Sequence, residues 1–259
     1  MATIIAGPGP SPEKRHPFAP RHAWDRNFFL AYVAIIWVGI LAGFVPEIVR
    51  HVTSGAPAFP PIIHVHGVVF VSWLILLTVQ ALLIRNRQVR LHQRLGVAGP
   101  ILAGTMVIVG LATSLTMDKL ELPTPDGNPG FLSIQVLDML EFGTLAFAAM
   151  AARKMPSAHK RLILLATLSI ADAGFARWLG PSLHFSDSAL SIFIELFLPT
   201  ALLVLGIGAY DLVTRRRLHP AYVAGAALIF TGQITASLLD HNAAWTKVAS
   251  SIIRSWPFA

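Results

Sequence analysis

The chain has 259 residues, of which 54% are hydrophobic and 13% charged, about half the charged share of an average soluble domain. The formal charge is +7, but the basic residues fall in short clusters between apolar runs, which is a topological pattern and not a nucleic-acid-binding face. With no cysteine, disulfides, iron–sulfur clusters, thiolate-ligated haem and thiol catalysis are excluded.

Residues 1–26 are rich in proline and basic side chains and lack an apolar core of signal-peptide length, so they read as a flexible cytoplasmic tail. Beyond them, apolar runs recur with almost no polar sequence between. A membrane-crossing helix takes about 20 mainly apolar residues, since each adds about 1.5 Å against a hydrocarbon core of about 30 Å. Seven runs qualify, at 27–49, 61–84, 97–115, 131–152, 162–179, 189–212 and 221–239. Pro60 and Pro61 open the second, Pro129 and Gly130 precede the fourth, and His219 with Pro220 opens the seventh. The fifth is the least regular, because Asp172 and Arg177 interrupt it.

This predicts an all-α polytopic bundle of seven transmembrane helices over 27–239. Lys14, Arg15, Arg21, Arg26, Arg85, Arg87, Arg90, Arg94, Arg153, Lys154, Lys160, Arg161, Arg215, Arg216 and Arg217 fall on one side, against five basic residues on the other. The richer side is expected to be cytoplasmic, with the N-terminus inside and the C-terminus outside, and its basic loops to meet anionic lipid headgroups. Residues 240–259 follow, with Trp245, Val248, Ile252 and Trp256 spaced like one helix face. They are expected to form an amphipathic helix on the outer surface, both tryptophans at headgroup level.

Ionisable groups at membrane depth are costly and normally face the bundle interior with a partner. The first and third spans carry essentially none in their cores and read as scaffold or lipid-facing helices. The second, fourth, fifth and sixth carry His64, His66, Asp138, Glu141, Asp172 and Glu195, grouped toward the outer half, with Gln233 of the seventh span at similar depth and Arg177 above Asp172. Gln135, Asp138 and Glu141 follow at intervals of three and are expected to line one face. His64 and His66 point roughly 200° apart on a regular helix, which makes His66, in step with Trp73 and Gln80, the better inward candidate.

The segments LHQRLGVAG, AHKRLILLAT and RRLHPAYVAG pair histidine with arginine at the start of three spans. His92, His159 and His219 there suit a haem propionate, a lipid headgroup or a proton port; the plainer reading is repeated positive-inside anchoring. Together with HVHGVVFVSWLILLTVQ, YDLVTRRRLHP and AAWTKVAS, these elements resemble a family of uncharacterised seven-helix bacterial membrane proteins, His-x-Arg-Leu-Gly being the most specific piece. The resemblance implies a bacterial inner-membrane location and brings no assigned activity or catalytic residues.

Three functions are compatible with this pattern. One is a polar ligand, metal or haem site in the outer half: His64, His66, Asp138, Glu141 and Glu195 offer nitrogen and oxygen ligands for a divalent metal, and His66, His92 and His159 are candidates for a b-type haem. His-Glu-x-x-His and the Glu-x-x-His pairs of di-iron bundles are absent. Another is a proton-coupled transporter using the intramembrane carboxylates, and the third a non-catalytic subunit of a larger membrane complex.

Overall fold

A computed structural model describes residues 18–19, 22–125 and 127–258. All regular structure in them is helical: α1 (Asp25–Thr53), α2 (Pro61–Arg85), α3 (Val89–Leu95), α4 (Ala98–Glu121), α5 (Leu132–Ala151), α6 (Pro156–Leu183), α7 (Ala189–Arg215), α8 (Pro220–Asp240) and α9 (Ala243–Ser255). Seven segments are long and apolar enough to cross a membrane, α3 and α4 counting as one (Val89–Glu121). The chain is thus an all-α, multi-pass membrane protein. Local chemistry marks the helix ends. Proline occupies the first turn of α2, α6 and α8, where its missing N–H costs nothing. Ser188 and Asn242 accept the backbone N–H groups of Ser191 and Trp245 and so start α7 and α9.

The irregular fifth span, α6, is the centre of the bundle. It packs on α1, α5, α7 and α8, and 61% of its apolar core is buried, against 11% for α2. Its polar residues therefore mark it as an interior helix, not a doubtful span. The first span, expected to be a scaffold or lipid-facing helix, lies along α6, whereas α2 packs on α1 and α4. Two indoles anchor α2, Trp37 donating to Thr78 (2.9 Å) and Trp73 to Thr167 on α6 (3.1 Å). Phe142 and Leu145 of α5, Leu165 and Leu168 of α6, Val204 and Ile207 of α7 and Ile229 of α8 fill the centre.

Lys14, Arg15 and Arg21 of the expected tail lie outside the described residues. Its described part packs on the bundle, the Phe18 ring lying 4.8 Å from the Arg161 guanidinium and 5.3 Å from that of Arg215.

α9 lies against the bundle by a narrow face. Ala249 and Ile253 are buried against Leu132, beside Trp245, while Val248 and Ile252 are 52% and 41% exposed. Both indoles point inward, Trp245 donating to the Gly130 carbonyl and Trp256 to the Thr116 hydroxyl, each at 3.0 Å. Trp245→Phe keeps an aromatic side chain and removes one such bond, so it is expected to lower stability by at least about 1 kcal/mol. A lowered thermal midpoint of the purified protein checks this.

Candidate functional site

Glu141 sits near the middle of α5 and is 3% exposed, with neither carboxyl oxygen hydrogen-bonded. Gly232 on α8 leaves the space it occupies, since a Cβ there would collide with Oε1. Asp172 on α6 is 2% exposed; Oδ1 accepts the Ala173 N–H (2.7 Å) and Oδ2 has no partner. These two carboxyls and that of Asp138 are close enough to act on one another electrostatically. Gln233 on α8 is 1% exposed and its Oε1 is also unpartnered. α5, α6 and α8 thus bring two acids and one amide into the packed interior, with the half-buried Asp138 one turn before Glu141 on α5.

Gln135, the first residue of the predicted stripe, turns elsewhere. Its Nε2 donates to Asp118 on α4 (3.1 Å), leaving Gln135 Oε1 and Asp118 Oδ2 unpartnered. Among the described residues, seven buried partnerless side-chain atoms are carbonyl or carboxyl oxygens; the remaining three are Thr113 Oγ1 and the Nδ1 atoms of His66 and His92. No ammonium, guanidinium or amide nitrogen is among them. The interior offers an excess of hydrogen-bond acceptors.

The other predicted residues disperse. Glu195 closes the α6–α7 corner, with Oε1 2.6 Å from His184 Nδ1 and accepting the Ser191 hydroxyl at 2.9 Å. His64 is exposed, whereas His66 is half-buried and stacks on Phe70 with ring centroids 3.9 Å apart. His92 and His159 meet edge to face at 6.4 Å, and His159 Nδ1 lies 2.8 Å from the Ala149 carbonyl. His241 lies beside Asp240 at 3.2 Å. Among the described residues no three histidine, aspartate or glutamate side chains are grouped to hold a metal ion. Arg177 reaches across to Glu47 on α1 (2.6 Å), an ion pair the sequence reading did not identify.

A second polar cluster, also unforeseen, lies at the basic end. Arg161 and Asp211 are fully buried; Nε donates to Oδ2 (2.7 Å), Nη2 to Oδ1, and Nη1 to the Ser157 carbonyl (2.6 Å). Asp25 at the start of α1 accepts Lys160 of α6 (2.7 Å) and Arg215 and Tyr210 of α7 (2.8 and 2.7 Å). His219 closes the cluster. Its Nδ1 accepts the Ala221 N–H and caps α8, which leaves Nε2–H to donate to the Ser157 hydroxyl (3.2 Å). Burial, then the Arg161 charge, holds its pKa below the ordinary histidine value, favouring this neutral form. Local sequence held one clue, Asp211 four residues before Arg215.

No family model, curated protein or solved structure matches this chain. The two polar clusters differ in how completely they are satisfied. The cluster at the basic end is saturated with partners and ties α1, α6, α7 and α8 together; the interior carboxyls are not. Unsatisfied groups at membrane depth are where exchangeable chemistry belongs.

Proposed function

We propose that the protein is a proton-coupled membrane carrier whose proton site is built from Glu141, Asp172 and Asp138, with Gln233 beside it. The supporting observation is the Glu141 carboxyl, buried with both oxygens unpartnered and within electrostatic reach of two further acids. Three neighbouring carboxyls, two of them buried, cannot all carry charge, and protons supply the donors that the surplus acceptors lack. A divalent metal or b-type haem draws less support, because among the described residues no three histidine, aspartate or glutamate side chains are grouped to hold a metal ion, and Glu195 is engaged by His184.

In this reading the basic end faces the cytoplasm of a bacterial inner membrane, where its loops meet anionic headgroups. Counting along α5 places Glu141 about 14 Å from the opposite, outer end. Residues 240–259 lie on that outer side, and α9 dips its exposed Val248 and Ile252 into the interface.

The test is a panel of solutes applied to proteoliposomes that contain a pH-sensitive dye. At least one solute is expected to drive proton movement with the parent protein and none with Glu141→Gln. That variant should fold normally, because the replaced carboxyl makes no hydrogen bond. Equal proton movement in Glu141→Gln and parent, or no proton movement with any solute, would rule the carrier out.

A further inference from the structure

The Glu47–Arg177 ion pair lies above the carboxyl site, and its geometry gives it a role in that site. α1 and α6 cross with their backbones in close contact, Gly43 lying against the Gly174 carbonyl. One turn further on, Arg177 Nε donates to Glu47 Oε2 (2.6 Å) and Nη1 to the Ala173 carbonyl (2.8 Å), while the guanidinium covers the Phe44 ring at 4.6 Å. The pair is open to the surroundings, with side-chain exposures of 42% and 46%. Asp172 lies five residues before Arg177 on the same helix, immediately before Ala173, whose carbonyl the guanidinium holds.

We propose that Arg177 is the built-in counter-cation of the carboxyl site and that Glu47 holds it away. This rests on the reading of Glu141, Asp172 and Asp138 as a proton site and adds its regulation. With the pair closed, Glu47 neutralises much of the arginine's field, so the acids need protons to offset their charge. With the pair open, the flexible arm turns toward Asp172 and supports an ionised carboxylate there. Glu47 thereby sets how readily the site gives up its proton.

The other titratable groups acting on Asp172 are Asp138 and Glu141 on α5, while His66 on α2 stacks on Phe70. His66 is reached by the Arg177 charge as well. α7 contributes Glu195, already engaged by His184, and α8 brings no titratable group to that depth. Among the described residues Arg177 is the basic side chain that acts on Asp172.

Dicyclohexylcarbodiimide reacts with protonated carboxyls in apolar surroundings, and mass spectrometry of the full-length protein gives the labelling rates of Asp172 and Glu141 at one fixed pH. Arg177→Gln is expected to raise the rate by up to about tenfold, the scale of one charge acting over roughly 10 Å at intermediate dielectric. Glu47→Gln should lower it, and the double variant should follow Arg177→Gln. Opposite signs separate this from simple loosening of the α1–α6 crossing, which would move both variants the same way. Parental rates in either single variant, or changes of the same sign, overturn the role of Arg177 while leaving the proton site standing. No labelling of Asp172 or Glu141 in the parent sinks both.

Discussion

Asp211→Ala is expected to cost about 3 to 5 kcal/mol, because it leaves the Arg161 guanidinium buried with no counter-charge. Both side chains are fully buried and joined in a two-pronged contact, the geometry in which arginine and carboxylate bind best. Arg161→Ala should cost less, since Asp211 keeps Arg215 at 3.7 Å and the His219 N–H at 3.4 Å. Replacing both at once, Arg161→Met with Asp211→Leu, should recover much of the loss, since a buried ion pair exchanged for apolar side chains of similar size is often neutral. Thermal midpoints of the four purified variants, parent included, give the comparison. Equal losses for the two single substitutions would show that the pair's asymmetry is not as drawn.

Gly43→Leu is the second large effect. The neighbour of an added Cβ here is the Gly174 backbone carbonyl, which cannot swing aside as a side-chain end would, so α1 and α6 must separate. Overpacking of this kind costs about 1 to 3 kcal/mol, and a bulky leucine against backbone belongs at or beyond the top of that range. Gly67→Ala on α2 is the matched control, since nothing lies within 4 Å of its added Cβ. It should leave the midpoint unchanged or raise it by up to about 1 kcal/mol. If both substitutions lower the midpoint alike, the close crossing of α1 and α6 is not what holds them.

Span number and span ends were legible because they depend on local properties, apolar length and proline at the first turn. Which way a polar residue turns was only half legible. Steps of three along a helix fall about 60° short of a full turn, so a stripe through Gln135, Asp138 and Glu141 rotates by about 120° from first to last. That drift takes Gln135 to Asp118 on α4 and Glu141 to Gly232 on α8. Glu195 shared the depth of the other acids, but depth does not specify direction, and its partner His184 waits across a tight corner.

The Arg161–Asp211 pair was hidden for another reason. A basic residue at the start of a span is already explained by topology, and nothing in the local sequence distinguishes an arginine in a loop from one turned into the bundle. The partner stands 50 residues away on another helix. In α9 the spacing of Trp245, Val248, Ile252 and Trp256 was real, but Ala249 and Ile253 supply the buried stripe, one residue around the helix. A small alanine buried completely leaves little trace in a hydropathy pattern.

The anchoring of Asp25 has a consequence for how the chain is made. Its partners Lys160, Tyr210 and Arg215 lie 135, 185 and 190 residues further along. At about 5 to 20 residues per second, a ribosome reaches them roughly 7 to 40 s after Asp25 has been synthesised. The first helix must therefore wait in the insertion machinery or the lipid, its aspartate without these three partners, until the fifth and sixth membrane segments arrive. The assembly step that joins the beginning of the chain to its later helices is set by translation as much as by packing.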